Sequence, residues 1–338
     1  MAKSGNWRTL EESPHQHERD ALAFVRRSFP KDEPYRAWTN FEFIADDGSV
    51  NEVDLLAFTP RGLFLIEIKS HPGRITGDAG ELIWQHDGRT TYLDHPLYLA
   101  NKKAKRLKSL LEKHARQRRG EIPFVQPLIF FSAEGLDLQL RGNGGVKVCR
   151  RDPLDPLGNP VFPLVKPGVL AALMQGDFEG NDLNARVHLS AGALRVVAQA
   201  MEEAGVREPH RRRVVSDYRL ERLVDEGPGY QDWHAVHVQV PDSVRRVRIY
   251  LARQGATHEE RLTLKRAAIR EFQLLENLAH PGILRVQNCH EHDLGSAVIF
   301  EHDPKAIRLD HFLSRRGPAL DLTQRIDLVR QLAEALRF

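Results

Sequence analysis

Three charged side chains on two neighbouring apolar segments give this sequence its clearest chemistry. Residues 51–70 read NEVDLLAFTPRGLFLIEIKS, two short strands around a turn with proline second and glycine fourth. Pairing Thr59 with Gly62 across this turn sets the strand register. In that register Asp54 lies opposite Glu67, with Cβ atoms roughly 4.5–5.5 Å apart. Two carboxylates this close repel each other unless a cation lies between them, and a divalent ion with oxygen ligands is the natural occupant.

Lys69 shares one strand face with Glu67, where its ammonium group would orient a water or a phosphate. We therefore predict that Asp54, Glu67 and Lys69 are catalytic. Two alternatives stay open at this point. Glu52 would oppose Lys69 in the same register, so that the charges form cross-strand ion pairs worth only about 0.2–1 kcal/mol. A bulge at Gly62 would instead shift the register by one residue and separate the carboxylates.

Glu18 is a third candidate carboxylate. On a helix predicted over residues 14–29 it shares one face with Ala21, Leu22 and Val25, at spacings of three, four and seven. A carboxylate on an apolar face needs a partner or a metal ion, because burying it unpaired is costly. A carboxylate at the rim of the core, with ordinary hydrogen-bond partners, is the alternative.

The order of these motifs resembles that of the PD-(D/E)XK nucleases, and more narrowly that of the nuclease-related domain family, NERD. Members typically carry a glutamate near an N-terminal helix, then E-x-D, then G-(V/L)-F-x-(I/L)-E-x-K. The resemblance covers roughly residues 14–150, and its matching positions are Glu18, Glu52 to Asp54, and Gly62 to Lys69. It implies an α/β fold in which a mixed sheet with a restriction-endonuclease-like core is flanked by helices.

We predict Mg²⁺ or Mn²⁺ as the cofactor. The expected ligands are the carboxylates of Glu18, Asp54 and Glu67 and the carbonyl of Ile68. Family members usually carry Asn-Pro and, shortly afterwards, a glutamine on the next helix. The sequence departs from this pattern, because it has His95-Pro96 and then Leu99, so we expect Gln85 or Asn101 to substitute.

A basic run follows the acidic motifs. Residues 101–119 contain nine lysines or arginines and one glutamate. They read as an amphipathic helix that buries Leu107, Leu110 and Leu111. Its basic face would contact the phosphates of duplex DNA, and a solvated charged face is an equally supported alternative. The predicted nucleic-acid-binding residues are Lys102, Lys103, Lys105, Arg106 and Lys108.

Composition sets broad limits on the protein. A length of 338 residues predicts two domains, and 41% hydrophobic with 28% charged residues is ordinary for a globular protein. The N-terminus has no apolar signal core, and no run approaches 18 apolar residues, so we expect a cytoplasmic protein without membrane contacts. Cys149 and Cys289 lack metal-ligand spacing and are expected to be unpaired.

A second group of motifs begins at Tyr218. Two strands flank a turn at Gly227-Pro228-Gly229, and a third strand, RRVRIYL, precedes the helix AAIREFQLLENLAHPGIL. This order resembles the N-lobe of a Ser/Thr protein kinase, an antiparallel sheet plus helix C, followed by the hinge and the start of a C-lobe. Glu271 matches the helix-C glutamate that faces the nucleotide.

The kinase-like pattern is degenerate. Tyr250 stands where kinases carry the phosphate-binding lysine, Asp232 replaces the third loop glycine, and Arg248 is expected to point to the opposite strand face. The chain ends before any HRD or DFG motif. We therefore predict no phosphoryl transfer and weak ATP binding at best, with ATP as a cofactor only if a full-length kinase domain is competent. The predicted degenerate nucleotide site comprises Gly227, Gly229, Tyr250 and Glu271.

The predicted organisation has four parts: a NERD domain at 1–150, a helical extension at 151–205, a linker at 206–216 and a truncated kinase-like domain at 217–338. This order resembles the W kinases of prokaryotic phage growth limitation and BREX-type defence systems. The resemblance implies an antiphage role for a metal-dependent nuclease-like domain attached to a kinase, with DNA and other defence-system proteins as partners. The alternatives are a kinase whose NERD domain only binds DNA or partner subunits, and a non-catalytic scaffold.

Overall fold

The chain forms two compact units, residues 1–45 with 50–209 and residues 46–49 with 210–338. The computed structural model describes residues 5–13, 15–116, 120–162, 167–181, 188–204, 206, 214–253, 256–292, 294–303, 306, 309, 312–313 and 319–337.

A six-stranded mixed sheet lies at the centre of the first unit. In spatial order its strands are β1 (Trp7–Thr9), β2 (Arg36–Ile44), β3 (Val50–Thr59), β4 (Gly62–Lys69), β8 (Val125–Phe131) and β10 (Val148–Cys149). β2, β3 and β4 are antiparallel neighbours, whereas β4 pairs with β8 in parallel. The nearly continuous apolar runs of β4 and β8 suit a sheet that is covered on both faces.

Helices cover both faces of this sheet, as predicted. They are α1 (Gln16–Ser28), α2 (Leu97–Arg116), α3 (Val169–Gln175) and α4 (Ala191–Glu203). Leu107 and Leu111 of α2 are buried on one face together with Val197 of α4. Val25 of α1 and Leu173 of α3 are buried in the core on the other face. The predicted mixed α/β class and the apolar face of the basic helix are therefore confirmed.

The predicted boundary at residue 150 does not separate a domain from an extension. α3 and α4 both lie in the predicted 151–205 segment, and each completes one of the two cores. Sequence periodicity shows that such helices are amphipathic but does not show which surface they cover. Of the predicted linker 206–216, residues 207–213 lie outside the described residues, while Val214–Val215 form a short strand, β11.

A smaller sheet lies beside the large one in the first unit. In spatial order it contains β7 (Arg89–Asp94), β6 (Glu81–His86), β5 (Arg74–Gly77) and β9 (Asp137–Leu140).

Both cysteines are free thiols, as expected, with Cys149 buried and Cys289 half-buried. Within the described ranges, no helix has the length and apolar character needed to cross a lipid bilayer.

The second unit is built on a six-stranded antiparallel sheet. After β11 its strands follow in the spatial order β12 (Tyr218–Gly227), β13 (Tyr230–His237), β14 (Val244–Tyr250), β16 (Ala297–Glu301) and β15 (Val286–His290). Helix α5 (His258–Glu276) contacts the sheet by packing Ala268 against Val298 and Phe300. An antiparallel sheet with one helix against it is the arrangement predicted for the kinase-like N-lobe.

Two predicted helices of the second unit have different outcomes. α6 (Leu322–Arg337) forms where an amphipathic helix was expected. Most of the predicted helix start at 308–317 lies outside the described residues.

Helix α5 begins at His258, earlier than predicted, because Thr257 and Glu260 form a reciprocal capping box.

Candidate functional sites

The acidic site lies where β3 and β4 separate. Their pairing follows the predicted register from Thr59 opposite Gly62 to Leu55 opposite Ile66, without the bulge considered at Gly62. The regular pairing ends there, and an Oδ atom of Asp54 accepts a hydrogen bond of 2.6 Å from the Ile68 backbone N–H. The carboxylate therefore replaces a backbone acceptor at the point where the two strands diverge.

Glu67 is held between two lysines. Its side chain is only 9% exposed. One carboxylate oxygen lies 2.6 Å from Nζ of Lys103, and the other lies 3.5 Å from Nζ of Lys69. The alternative placed Glu52 opposite Lys69 in the same register, but the ladder between β3 and β4 ends at Leu55 and Ile66 and does not extend to that pair.

Glu18 occupies the position predicted for it on α1. Ala21 and Val25 on the same helix face are fully buried, while Glu18 itself is half-buried. Its carboxylate accepts a hydrogen bond of 2.8 Å from the hydroxyl of Ser13. This contact is the ordinary partner that a rim carboxylate requires, and it leaves the second carboxylate oxygen of Glu18 available to a ligand.

Burial and neighbouring charges shift the pKa values of the ionisable groups in this site. Burial, followed by the charge of Glu67, raises the pKa of Asp54 well above its usual range. Burial also raises the pKa of Glu18. Burial alone would raise the pKa of Glu67, but Lys103 and Lys69 outweigh it and lower that pKa. For Lys69, burial is outweighed by Glu67 and Asp54, which raise the pKa of its ammonium group.

The site holds more carboxyl groups than ammonium groups. The charge of Glu52 also acts on Glu18, so four carboxyl groups lie close enough to interact with one another or with the two lysines. Because burial and neighbouring carboxylates raise the pKa of Asp54 and of Glu18, the two ammonium groups do not balance the carboxyl groups, and a divalent cation would supply the missing positive charge. The four carboxylates are Glu18, Glu52, Asp54 and Glu67.

The donor chemistry fits Mg²⁺ or Mn²⁺, which prefer carboxylate and carbonyl oxygens. Among the described residues, however, no three His, Cys, Asp or Glu side chains are already arranged to hold a metal ion. The oxygens of Glu67 face Lys103 and Lys69, and Asp54 accepts a hydrogen bond from Ile68. A cation entering this site therefore competes with donors that the protein supplies itself.

The kinase-like residues come together in the second unit. Gly227 ends β12, and Gly229 occupies the turn with a φ of +78°, a conformation that favours glycine. The hydroxyl of Tyr250 donates a 2.5 Å hydrogen bond to Glu271 of α5. Burial and the neighbouring Glu271 raise the pKa of Tyr250, so its hydroxyl stays protonated. The predicted counterpart of the kinase lysine therefore contacts the predicted helix-C glutamate.

The predicted orientation of Arg248 is wrong. Its guanidinium donates to Glu271 at 2.9 Å and to Asp232 at 2.8 Å. Because residues two apart on a strand share one face, Arg248 and Tyr250 point to the same side. Asp232 is likewise no open loop carboxylate: it lies in β13, fully buried, between Arg248 and Arg246. This network fills the face where the phosphates of a nucleotide were expected.

Residues 13–132 match the family model for the nuclease-related domain. This segment is similar to NERD domains. Over 99% of its length the chain is also 34% identical to the "Probable kinase PglW" of Streptomyces coelicolor. The chain spans 20% of the length of that relative. Both findings confirm the predicted resemblance to a NERD domain fused to a kinase-like region.

Solved structures of protein kinases are among the matches, at low similarity. The crystal structure of Rad53 in complex with AMP-PNP matches at 19% identity and a TM-score of 0.29, covering 36% of this chain and 29% of that chain. The kinase domain of Mycobacterium tuberculosis PknI matches at 21% identity and a TM-score of 0.29, covering 37% and 48%. Similarities of this size carry no conclusion about the fold.

Sequence reasoning missed one residue of the NERD site. Lys103 was assigned to the DNA-binding run, yet its side chain is only 18% exposed and contacts Glu67. Neither predicted substitute, Gln85 or Asn101, has an identified contact with the site residues. The spacing gives a signal for Lys103, because it precedes the buried Leu107 by four residues and so lies on the inward side of α2.

The other basic residues of α2 lie nearer the surface of the NERD domain. Lys105 is exposed, and Lys102 lies 4.6 Å from the ring centre of Tyr98. Lys108 lies 3.5 Å from Glu112. Arg106 donates to Asn51 at 3.4 Å. The predicted run therefore divides into Lys103 in the acidic site, the exposed Lys105, and three half-buried residues that have partners of their own.

The filled face of the second unit leads to a prediction about ATP. The full chain should show no saturable rise in melting temperature with Mg-ATP, because the carboxylate of Glu271 already accepts hydrogen bonds from Arg248 and Tyr250. Thermal-shift titration measures this directly. A saturable rise that disappears in the Glu271→Ala variant would show that the lobe binds the nucleotide.

Proposed function

We propose that the NERD domain is a metal-dependent nuclease that cleaves phosphodiester bonds in DNA. One observation carries the proposal: Asp54, Glu67 and Lys69 meet where the regular pairing of β3 and β4 ends, with more carboxyl groups than ammonium groups around them. This surplus of carboxyl groups favours a divalent cation.

Each residue has a distinct part in this proposal. Asp54 and Glu67 would hold the ion, together with the Ile68 carbonyl and Glu18. A divalent ion in such a site stabilises charge on a phosphate and lowers the pKa of a bound water. Because its carboxylate neighbours raise the pKa of Lys69, the ammonium stays protonated. Lys69 therefore donates to a phosphate oxygen or orients the attacking water, and does not act as a base.

The direct test of this proposal is an assay of DNA cleavage by the full chain. Cleavage should require Mn²⁺ or Mg²⁺ and stop when EDTA removes the metal. The Lys69→Met variant should bind DNA but cleave it much more slowly. If the wild-type chain leaves both linear and supercoiled DNA intact at millimolar Mn²⁺, the nuclease proposal fails.

The surface of α2 predicts how DNA would bind. Each lysine that pairs with a phosphate should add about 0.9 to the magnitude of the slope of log K against log salt, so removing three such lysines should reduce it by about 2.7. The variant that tests this reverses the charge of Lys102, Lys105 and Lys108. A control variant reverses three exposed cations elsewhere in the same unit, Lys31, Arg89 and Arg141. Fluorescence anisotropy at several salt concentrations measures the slope, and equal slopes in the two variants would exclude α2 as the binding surface.

The kinase-like unit suggests that the nuclease-like domain is part of a larger protein kinase. Similarity to a probable kinase across both units supports the proposal that this region belongs to a Ser/Thr kinase of prokaryotic antiphage defence. Other defence-system proteins would then be its partners, and ATP would serve a complete kinase domain. The chain's own lobe, with Tyr250 and Arg248 bound to Glu271, would contribute contacts to that assembly and not catalysis.

One observation favours a second candidate function. Both oxygens of Glu67 contact lysines, which is the arrangement expected if the acidic site only stabilises the fold. In that case the NERD domain would bind DNA or partner subunits without cleaving. Metal binding separates the two functions, because only the nuclease requires a divalent ion at Glu67.

A further inference from the structure

Lys103 and Glu67 form the shortest ion pair of the acidic site, at 2.6 Å. The lysine side chain is 18% exposed and the glutamate side chain 9% exposed. A pair so removed from solvent is weakly screened by salt, and an ammonium in that position has the same sign of charge as a metal ion. Lys103 therefore occupies an oxygen that the proposed cofactor needs.

The backbone of Lys103 is anchored by its neighbours, whereas its ammonium group ends a flexible side chain. The neighbouring Ala104 and Leu107 are buried in the core and anchor this turn of α2. Lysine carries its charge on a flexible four-carbon stem, so the ammonium can change partner without movement of the helix. Arg106, three residues further on and so on the same side of α2, belongs to the run that is proposed to bind DNA.

We propose that Lys103 competes with the metal ion for the carboxylate of Glu67. Lys103 releases Glu67 when a DNA phosphate accepts the hydrogen bond of its ammonium group. The exchange conserves charge pairing: the phosphate takes the place of Glu67 beside Lys103, and the divalent ion takes the place of Lys103 beside Glu67. Metal and DNA then bind cooperatively, so the site is completed only when substrate is present. This inference rests on the proposed nuclease function and makes Lys103 a positioning residue.

The geometry sets the expected direction of each effect. Without DNA, removing the charge of Lys103 takes away a competitor and a repulsive charge, so affinity for Mn²⁺ should rise. With DNA, the wild-type chain should gain affinity for Mn²⁺ by roughly tenfold, within the usual range of coupling between two sites. A chain that lacks Lys103 should gain little Mn²⁺ affinity from DNA, because no ammonium group competes for Glu67.

Isothermal titration of the full chain with Mn²⁺ tests the inference, with and without a phosphorothioate-substituted duplex that resists hydrolysis. The variants are Lys103→Met, which removes the charge, and Lys103→Arg, which keeps it. Lys31→Met, at an exposed lysine of the same unit outside α2, is the matched control. We expect tighter Mn²⁺ binding without DNA and loss of the DNA effect in Lys103→Met alone.

The outcomes separate this inference from the proposal beneath it. If wild type and Lys103→Met bind Mn²⁺ equally and respond equally to the duplex, Lys103 is not a competitor, while the metal site stands. If neither wild type nor Lys103→Met binds Mn²⁺, the nuclease proposal itself fails. Should Lys103→Met not fold, as judged by circular dichroism, Lys103→Gln gives the same comparison with a polar side chain.

Discussion

We expect the Asp54→Asn variant to lose the proposed Mn²⁺-dependent DNA cleavage by at least about 100-fold, since even the hydrogen-bond partners of metal ligands contribute about 10- to 100-fold to affinity or activity. Asn keeps an oxygen that can accept the hydrogen bond from the Ile68 N–H, so the junction between β3 and β4 is retained. The substitution removes mainly the negative charge. Loss of activity would then report on the metal site and not on the fold.

Cleavage rates and Mn²⁺ titration of the same protein check this prediction. The matched control is Asp137→Asn, the same change at a carboxylate of the first unit that is 51% exposed and pairs with Arg74. The control should retain wild-type cleavage and Mn²⁺ affinity. Equal Mn²⁺ affinity in Asp54→Asn and wild type would remove Asp54 from the set of ligands.

In the second unit, Asp232→Ala destabilises the antiparallel sheet by about 3 kcal/mol, near the lower end of the range for breaking a buried ion pair. The Asp232 side chain is fully buried and accepts hydrogen bonds from both Arg246 and Arg248. Removing it leaves two guanidinium groups without their shared buried counter-charge, with only Glu271 beside Arg248 and the exposed Asp225 near Arg246. The arginine side chains keep 29% and 24% exposure, which limits the penalty.

Urea unfolding of the full chain, followed by circular dichroism, measures the change in free energy of unfolding. The control is Asp225→Ala, because Asp225 lies 4.0 Å from the same Arg246 but is 51% exposed. An exposed pair of this kind contributes about 0–1 kcal/mol. If both variants unfold at the same urea concentration, the buried network does not stabilise the second unit.

Local sequence patterns were sufficient to predict the hairpin that carries the acidic site. The proline–glycine turn fixed Thr59 opposite Gly62, and the ladder follows the predicted register up to Leu55 and Ile66, one pair before Asp54 and Glu67. The same rule of alternation, applied to β14, puts Arg248 beside Tyr250 and would have identified both partners of Glu271. The capping box at Thr257 and Glu260 was equally readable.

Other features depend on contacts between distant parts of the chain. The ion pair between Lys103 and Glu67 joins residues 36 positions apart, and the helical spacing that turns this lysine inwards does not show which carboxylate it meets. Likewise, the cores completed by α3 and α4 depend on which sheet face each helix covers. Charge runs show where cations are abundant, whereas the fold decides which acidic group each of them contacts.

A crystal structure of the full chain with Mn²⁺, using anomalous scattering to locate the metal, tests the central claim most directly. We predict an anomalous peak within bonding distance of carboxylate oxygens of both Asp54 and Glu67, with the ammonium of Lys103 moved away from Glu67. A crystal saturated with Mn²⁺ that shows no peak at these oxygens, with Lys103 still bound to Glu67, would contradict the proposal of a metal-dependent nuclease.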